Sequence, residues 1–149
     1  MPLLPTGPDL SFLDNPPSAN EEIASAWATA LGDYASGIIS APLVPGTAEG
    51  AKAGLESMLI TTLPLGNAGG IAAVFDAPMV TFGLTIAAGM APAFIGIPPL
   101  APFSTTVFPP GILYPDAESA KSAIGALIYT WFFTGTATPS VGGPPIPWS

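Results

Sequence analysis

Apolar residues recur at helical spacing in four stretches of the chain, and each stretch opens on a residue suited to starting a helix. Ile23, Trp27, Leu31, Tyr34 and Ile38 return every three or four positions, which predicts a helix over about 18–39. Ser18 with Glu21 three residues on has the spacing of a capping box, and Glu21 and Glu22 suit the positive end of the helix dipole. Pro42 and Pro45 stop it. A second helix is predicted over 47–63, with Thr47 as cap and Ala51, Leu55, Met58 and Leu59 on one side; Pro64 and Gly66 end it. After Asn67-Ala68-Gly69-Gly70 and a short apolar stretch, Ile71 to Phe75, Asp76 with Pro78 in the first turn predicts a third helix over 77–91. Asp116 opens a fourth over 116–134, through Ala120, Ile124, Ile128 and Trp131, and Gly135 suits its close.

The periodicity fails wherever prolines cluster. Residues 1–17 carry Pro2, Pro5, Pro8, Pro16 and Pro17 among Leu3, Leu4, Leu10, Phe12 and Leu13, and read as an extended arm that packs on its own domain or on a neighbour. Residues 92–115 form an uncharged apolar loop in which Pro92, Pro98, Pro99, Pro102, Pro109 and Pro110 forbid a regular helix; Ser104 to Phe108 has the composition of a short strand. Residues 136–149 form an extended tail. The expected architecture is a mainly α domain over 18–135, a four-helix core dressed by arms.

Two of the helices look alike. Thr47-Ala48-Glu49-Gly50-Ala51-Lys52 aligns with Asp116-Ala117-Glu118-Ser119-Ala120-Lys121 at an offset of 69, without gaps, and both lysines of the protein fall on one repeat position. A weaker match at an offset of 57 sets Trp27 against Leu84 and Gly32 against Gly89. Together they suggest a pair of duplicated helical hairpins. Glu49 with Lys52, and Glu118 with Lys121, are spaced to pair along their helices.

Composition removes most chemistry. Of 149 residues, 49% are hydrophobic and 8% charged, against about 25% charged in an ordinary soluble domain. There is no Cys, His or Arg, and the net charge is −8. Thiol and imidazole chemistry are excluded, and nucleic acid is disfavoured because phosphate binding rests on Lys and Arg. Caps, first turns and lysine pairs account for six of the ten carboxylates. Asp9, Asp14, Asp33 and Glu56 remain, and only Asp33 with Glu56 could converge. Gly66 to Gly70 lacks the Lys and Ser/Thr of a phosphate loop. No catalytic residue, cofactor site or metal site is expected, and the chain does not read as an enzyme. The N-terminus shows no secretory signal.

An apolar, weakly charged chain is best solvated when neighbours cover it. The proline-rich arms around short alanine-rich helices, and the ending Gly142-Gly143-Pro144-Pro145-Ile146-Pro147-Trp148-Ser149, give the chain a composition that resembles small structural proteins of tailed bacteriophages and contractile injection particles. That resemblance implies a virion or similar particle as location, and copies of itself and other structural proteins as partners. The expected subunit contacts are Phe12, Leu13, Phe94, Phe103, Phe108 and Trp148. The alternative is a membrane-active, holin-like protein using the uncharged segment 77–113, which is long enough to span a bilayer.

Overall fold

The computed structural model describes residues 3–149, with Asn67 and Ala68 described by backbone alone; Met1 and Pro2 of the expected arm lie outside it. The protein is mainly helical, with a small antiparallel sheet. In chain order a 3-10 turn at Ser11–Asp14 leads to α1 (Asn20–Ala35) and α2 (Thr47–Thr62). A second 3-10 turn, Leu63–Leu65, runs into α3 (Gly66–Ala88). Then follow β1 (Phe94–Ile97), α4 (Phe103–Val107), α5 (Ala117–Phe133), β2 (Thr136–Pro139) and β3 (Ile146–Pro147).

The four expected helices exist, with edges moved by tertiary contacts. α1 starts after Ala19 with no side-chain cap, so the Ser18–Glu21 box does not form. It ends at Ala35 rather than Ile39, because the Ile39 and Ser40 amides donate instead to the Ser149 carbonyl. α2 is entered through Gly46 at φ 86°, a left-handed conformation that suits glycine, and Thr47 is its first helical residue rather than its cap. Thr47 instead packs its side chain on Gly89, where any β-carbon would collide with it.

α3 departs furthest from expectation. It begins eleven residues before 77, bends at Gly70 (φ 69°) and absorbs the stretch Ile71 to Phe75. Asp76 is therefore inside the helix, and Pro78 interrupts its hydrogen-bond ladder. Proline has no N–H for the carbonyl of Val74. The Thr62 hydroxyl donates to that carbonyl at 2.8 Å and fills the gap.

Asp76 still caps a helix, but a different one. Its Oδ1 accepts from the Ser104 amide at 2.8 Å and its Oδ2 from the Ser104 hydroxyl at 2.9 Å. This cap turns Ser104–Phe108 away from the strand its composition suggests and into α4. α5 is capped as expected, with the Asp116 carboxylate accepting from the Ser119 amide at 2.7 Å.

The sheet joins segments far apart in sequence. β1 pairs with β2 through Ile95 opposite Thr138 and Ile97 opposite Thr136, and β2 pairs with β3 through Ala137 opposite Ile146. β1 lies close on the end of α3, since a β-carbon on Gly96 would strike the Ala87 carbonyl. The tail is thus built into the fold. Trp148 is fully buried, lies against Gly135 and donates from Nε1 to the Thr136 carbonyl.

The N-terminal arm packs on its own chain over the described residues. Leu3 and Leu10 are buried, Tyr34 donates its hydroxyl to the Leu4 carbonyl at 2.6 Å, and Gly7 touches the backbone of Gly125 in α5. An aromatic chain holds the layers together. Phe12, Trp27, Phe75, Phe103, Trp131 and Phe132 follow one another with ring centroids 5.2 to 5.6 Å apart, and Trp148 closes the row at 6.5 Å. The edge-on geometry of most of these pairs matches the ring quadrupoles, adding about 0.5–1.5 kcal/mol per pair to their burial.

Candidate functional site

The carboxylates are scattered, and the fold assigns most of them structural partners. Asp9 accepts from the Ser11 amide at 2.9 Å; that bond, with help from the Ser11 hydroxyl, holds its carboxyl below the usual range. Asp14 binds Lys121 at 2.6 Å, and Glu118 binds the same ammonium from the preceding turn. The hydrogen bonds that Lys121 donates to Asp14 and, next, to Glu118 raise its pKa. Lys52 lies 3.7 Å from Asp33, so its partner is on α1 rather than the expected Glu49, and Asp33 serves a lysine rather than converging with Glu56. Asp116 is held below its usual range by the Ser119 amide first and the Ser119 hydroxyl second.

Among the described residues no group of three or more acids could hold a metal ion. The buried Ser104 hydroxyl donates to Asp76 Oδ2 at 2.9 Å. Tyr34 is pushed upward by burial and, secondarily, by Tyr129, and its proton is committed to the Leu4 carbonyl. Every buried side-chain nitrogen or oxygen among the described residues has a partner.

All six expected contact residues pack on their own chain, four of them only in part. Trp148 and Phe103 are core residues of their own chain, and Phe12, Leu13, Phe94 and Phe108 pack against that core, partly covered. Phe12 and Phe108 both meet Trp27 edge-on, at 5.2 and 6.1 Å. Aromatic identity drew attention to these positions, yet the same bulk makes them the best filling for the interior.

The apolar surface lies elsewhere. From Ser57 to Pro115 the sequence carries one charged side chain, Asp76, and that one is bonded to Ser104. Along α3, Ala77, Val80, Thr81, Leu84 and Ala88 are exposed at helical spacing, with Val80 59% and Leu84 53% accessible. Ile95 and Ile97 lie on one face of β1, and Leu100 and Leu113 stand free in the loop. Exposed apolar surface of this kind, where it is contiguous, is what protein partners, membranes or ligands cover. The sequence signal for this face was present in the uncharged run, but which residues of that run face outward depends on how α3 packs.

Comparison of the chain with protein-family models, with characterised proteins and with solved structures finds no match to any of them.

Proposed function

We propose that the protein is a structural, non-enzymatic subunit of a large multi-subunit particle, of the kind that tailed bacteriophages and contractile injection systems build. Its partners are copies of itself and other structural proteins of that particle. One observation carries this reading: the exposed apolar side chains on α3, β1 and the loop to Leu113, in a segment whose single charge is engaged with Ser104. Burial of such a face is worth roughly 25 cal/mol per Å² of apolar surface removed from water, and it needs no reactive group. The arms hold the subunit together, so the contact surface moves from the arms to this face.

The helix duplication belongs to the same reading. At an offset of 69, Leu55 and Ile124 are both buried, as are Leu59 and Ile128, and Lys52 and Lys121 each reach an aspartate earlier in the chain. We take α2 and α5 as copies of one ancestral helix. The match at offset 57 finds no such support, because Trp27 is buried while Leu84 is exposed.

A second reading is membrane insertion. Gly69–Ala88 has the length and hydropathy to cross a bilayer, and 44% of its most apolar window is buried within the fold. Insertion would pull Met79, Phe82 and Ile86 out of the core. The test is analytical ultracentrifugation of the purified chain beside Val80→Glu and Leu84→Glu. A concentration-dependent assembly that both charges abolish, in the absence of detergent, is the expected result. A chain that stays monomeric in buffer and enters liposomes would sink the assembly reading.

A further inference from the structure

A groove of about 690 Å³ opens between the N-terminal arm and the outward side of α1, a volume within the range of about 300–1,000 Å³ typical of binding pockets. Arm residues Leu3, Pro8 and Phe12 form one wall; Ala26 and Thr29 belong to the other. The helix side follows one stripe, since Glu22, Ala26, Thr29 and Asp33 are three or four positions apart. The groove therefore runs along the helix axis. Its ionisable acids are Asp9, Glu22 and Asp33, and no lysine lines it. Glu22 is exposed, whereas Asp33, about 16 Å further along the helix, faces Lys52 at 3.7 Å. Asp9, on the opposite wall, is kept ionised by the Ser11 amide.

We infer that this groove receives a basic amphipathic helix of a second, different protein. An apolar floor accepts the apolar stripe of a helix, and the small side chains at Ser25, Ala26 and Thr29 allow two helix axes to approach closely. Asp9 on one wall and Glu22 on the other, neither within ion-pair distance of a lysine, call for Lys or Arg on the flanks of the incoming helix. A second copy of this chain cannot supply them. It has no Arg, Lys121 is held between Asp14 and Glu118, and Lys52 faces Asp33 of its own chain. This site is independent of the uncharged face: charge selects its partner, and the partner is not a copy.

The experiment is fluorescence anisotropy with two labelled helical peptides of about 18 residues. Both carry leucine at i, i+3, i+4 and i+7; one has lysines on the flanks and the other glutamates. The lysine peptide is expected to bind about tenfold more tightly, the sum of two modest ion pairs, and to lose that advantage at about 1 M salt. Asp9→Asn and Glu22→Gln together remove the preference. Thr29→Trp, or Ser25→Trp if the first disturbs folding by circular dichroism, blocks binding by filling the groove. Leu84→Glu on α3 leaves binding unchanged even where it abolishes self-assembly. Equal binding of the two peptides, binding that survives a folded groove-filling variant, or no binding of the lysine peptide overturns the inference.

Discussion

Gly7 and Gly125 bring two backbones together where no side chain fits. A β-carbon at Gly125 would lie 2.3 Å from the Thr6 carbonyl oxygen, and one at Gly7, which has φ 81°, would lie 2.0 Å from that of Gly125. The obstacle in each case is backbone, which cannot rotate aside. Gly125→Ala is expected to cost about 1–3 kcal/mol, the usual range for overpacking. Gly54, on the exposed side of α2 with nothing within 4 Å, provides the control: Gly54→Ala should be neutral or stabilising by up to about 1 kcal/mol through helix propensity. Urea unfolding of both variants checks the contrast, and equal effects would refute the close approach. The sequence does not distinguish these two glycines, because the contact that separates them spans more than a hundred positions. Asp76 makes the same point for a polar residue. With a proline two places later it has the local signature of a helix start, and it does cap a helix, but the one whose amide is 28 residues away.

Elements show how far local signals reach. The helices with strong periodicity, α1, α2 and α5, lie within a few residues of where their apolar spacing predicts them, and Asp116 caps α5 because its own sequence supplies the acceptor within one turn. That cap titrates. The Asp116 pKa is lowered from 3.8, so its stabilisation is present above that value and is lost as pH falls through the lower folded value. Far-UV circular dichroism should show helix loss on acidification below about pH 4, less steep in Asp116→Asn, since asparagine caps equally well and does not titrate. An unchanged acid limb would remove Asp116 from the explanation. α3 was less legible, because its uncharged residues give no polar side to read and its ladder is repaired from outside by Thr62. Thr62→Val should leave the Val74 carbonyl without a donor and cost about 1–3 kcal/mol. In a Pro78→Ala background residue 78 regains its N–H and the same change should cost clearly less. A double-mutant cycle measures that coupling, and additive effects would show that Thr62 does not replace the missing proline N–H.

At the scale of the whole molecule, the two ends that read as arms pack on their own chain, and most of the exposed large apolar side chains lie along its middle. This could not be read from composition, because apolar residues in a proline-rich tail serve equally to close their own fold or to grip a neighbour. Pairing decides: β2 fits between β1 and β3, the Ser149 carbonyl takes the amides of Ile39 and Ser40, and Trp148 seats on Gly135. Removing a buried tryptophan side chain costs about 3–5 kcal/mol, a large share of the roughly 5–15 kcal/mol that holds a domain folded. Deletion of residues 146–149 also removes β3 and the acceptor at Ser149. The deleted chain is therefore expected to lose much of its cooperative unfolding transition even at high dilution, where no neighbour is bound. A tail that worked only between subunits would leave the transition of the diluted chain untouched. Leu84→Glu should behave in the opposite way, with an unfolding midpoint close to the parent and a changed sedimentation coefficient at high concentration, because Leu84 contributes little to its own core and much to the uncharged face. Thermal unfolding and sedimentation velocity measured on the same two variants separate the roles. If the deletion alters only sedimentation, or Leu84→Glu alters only folding, the division between stapling ends and a docking middle is wrong.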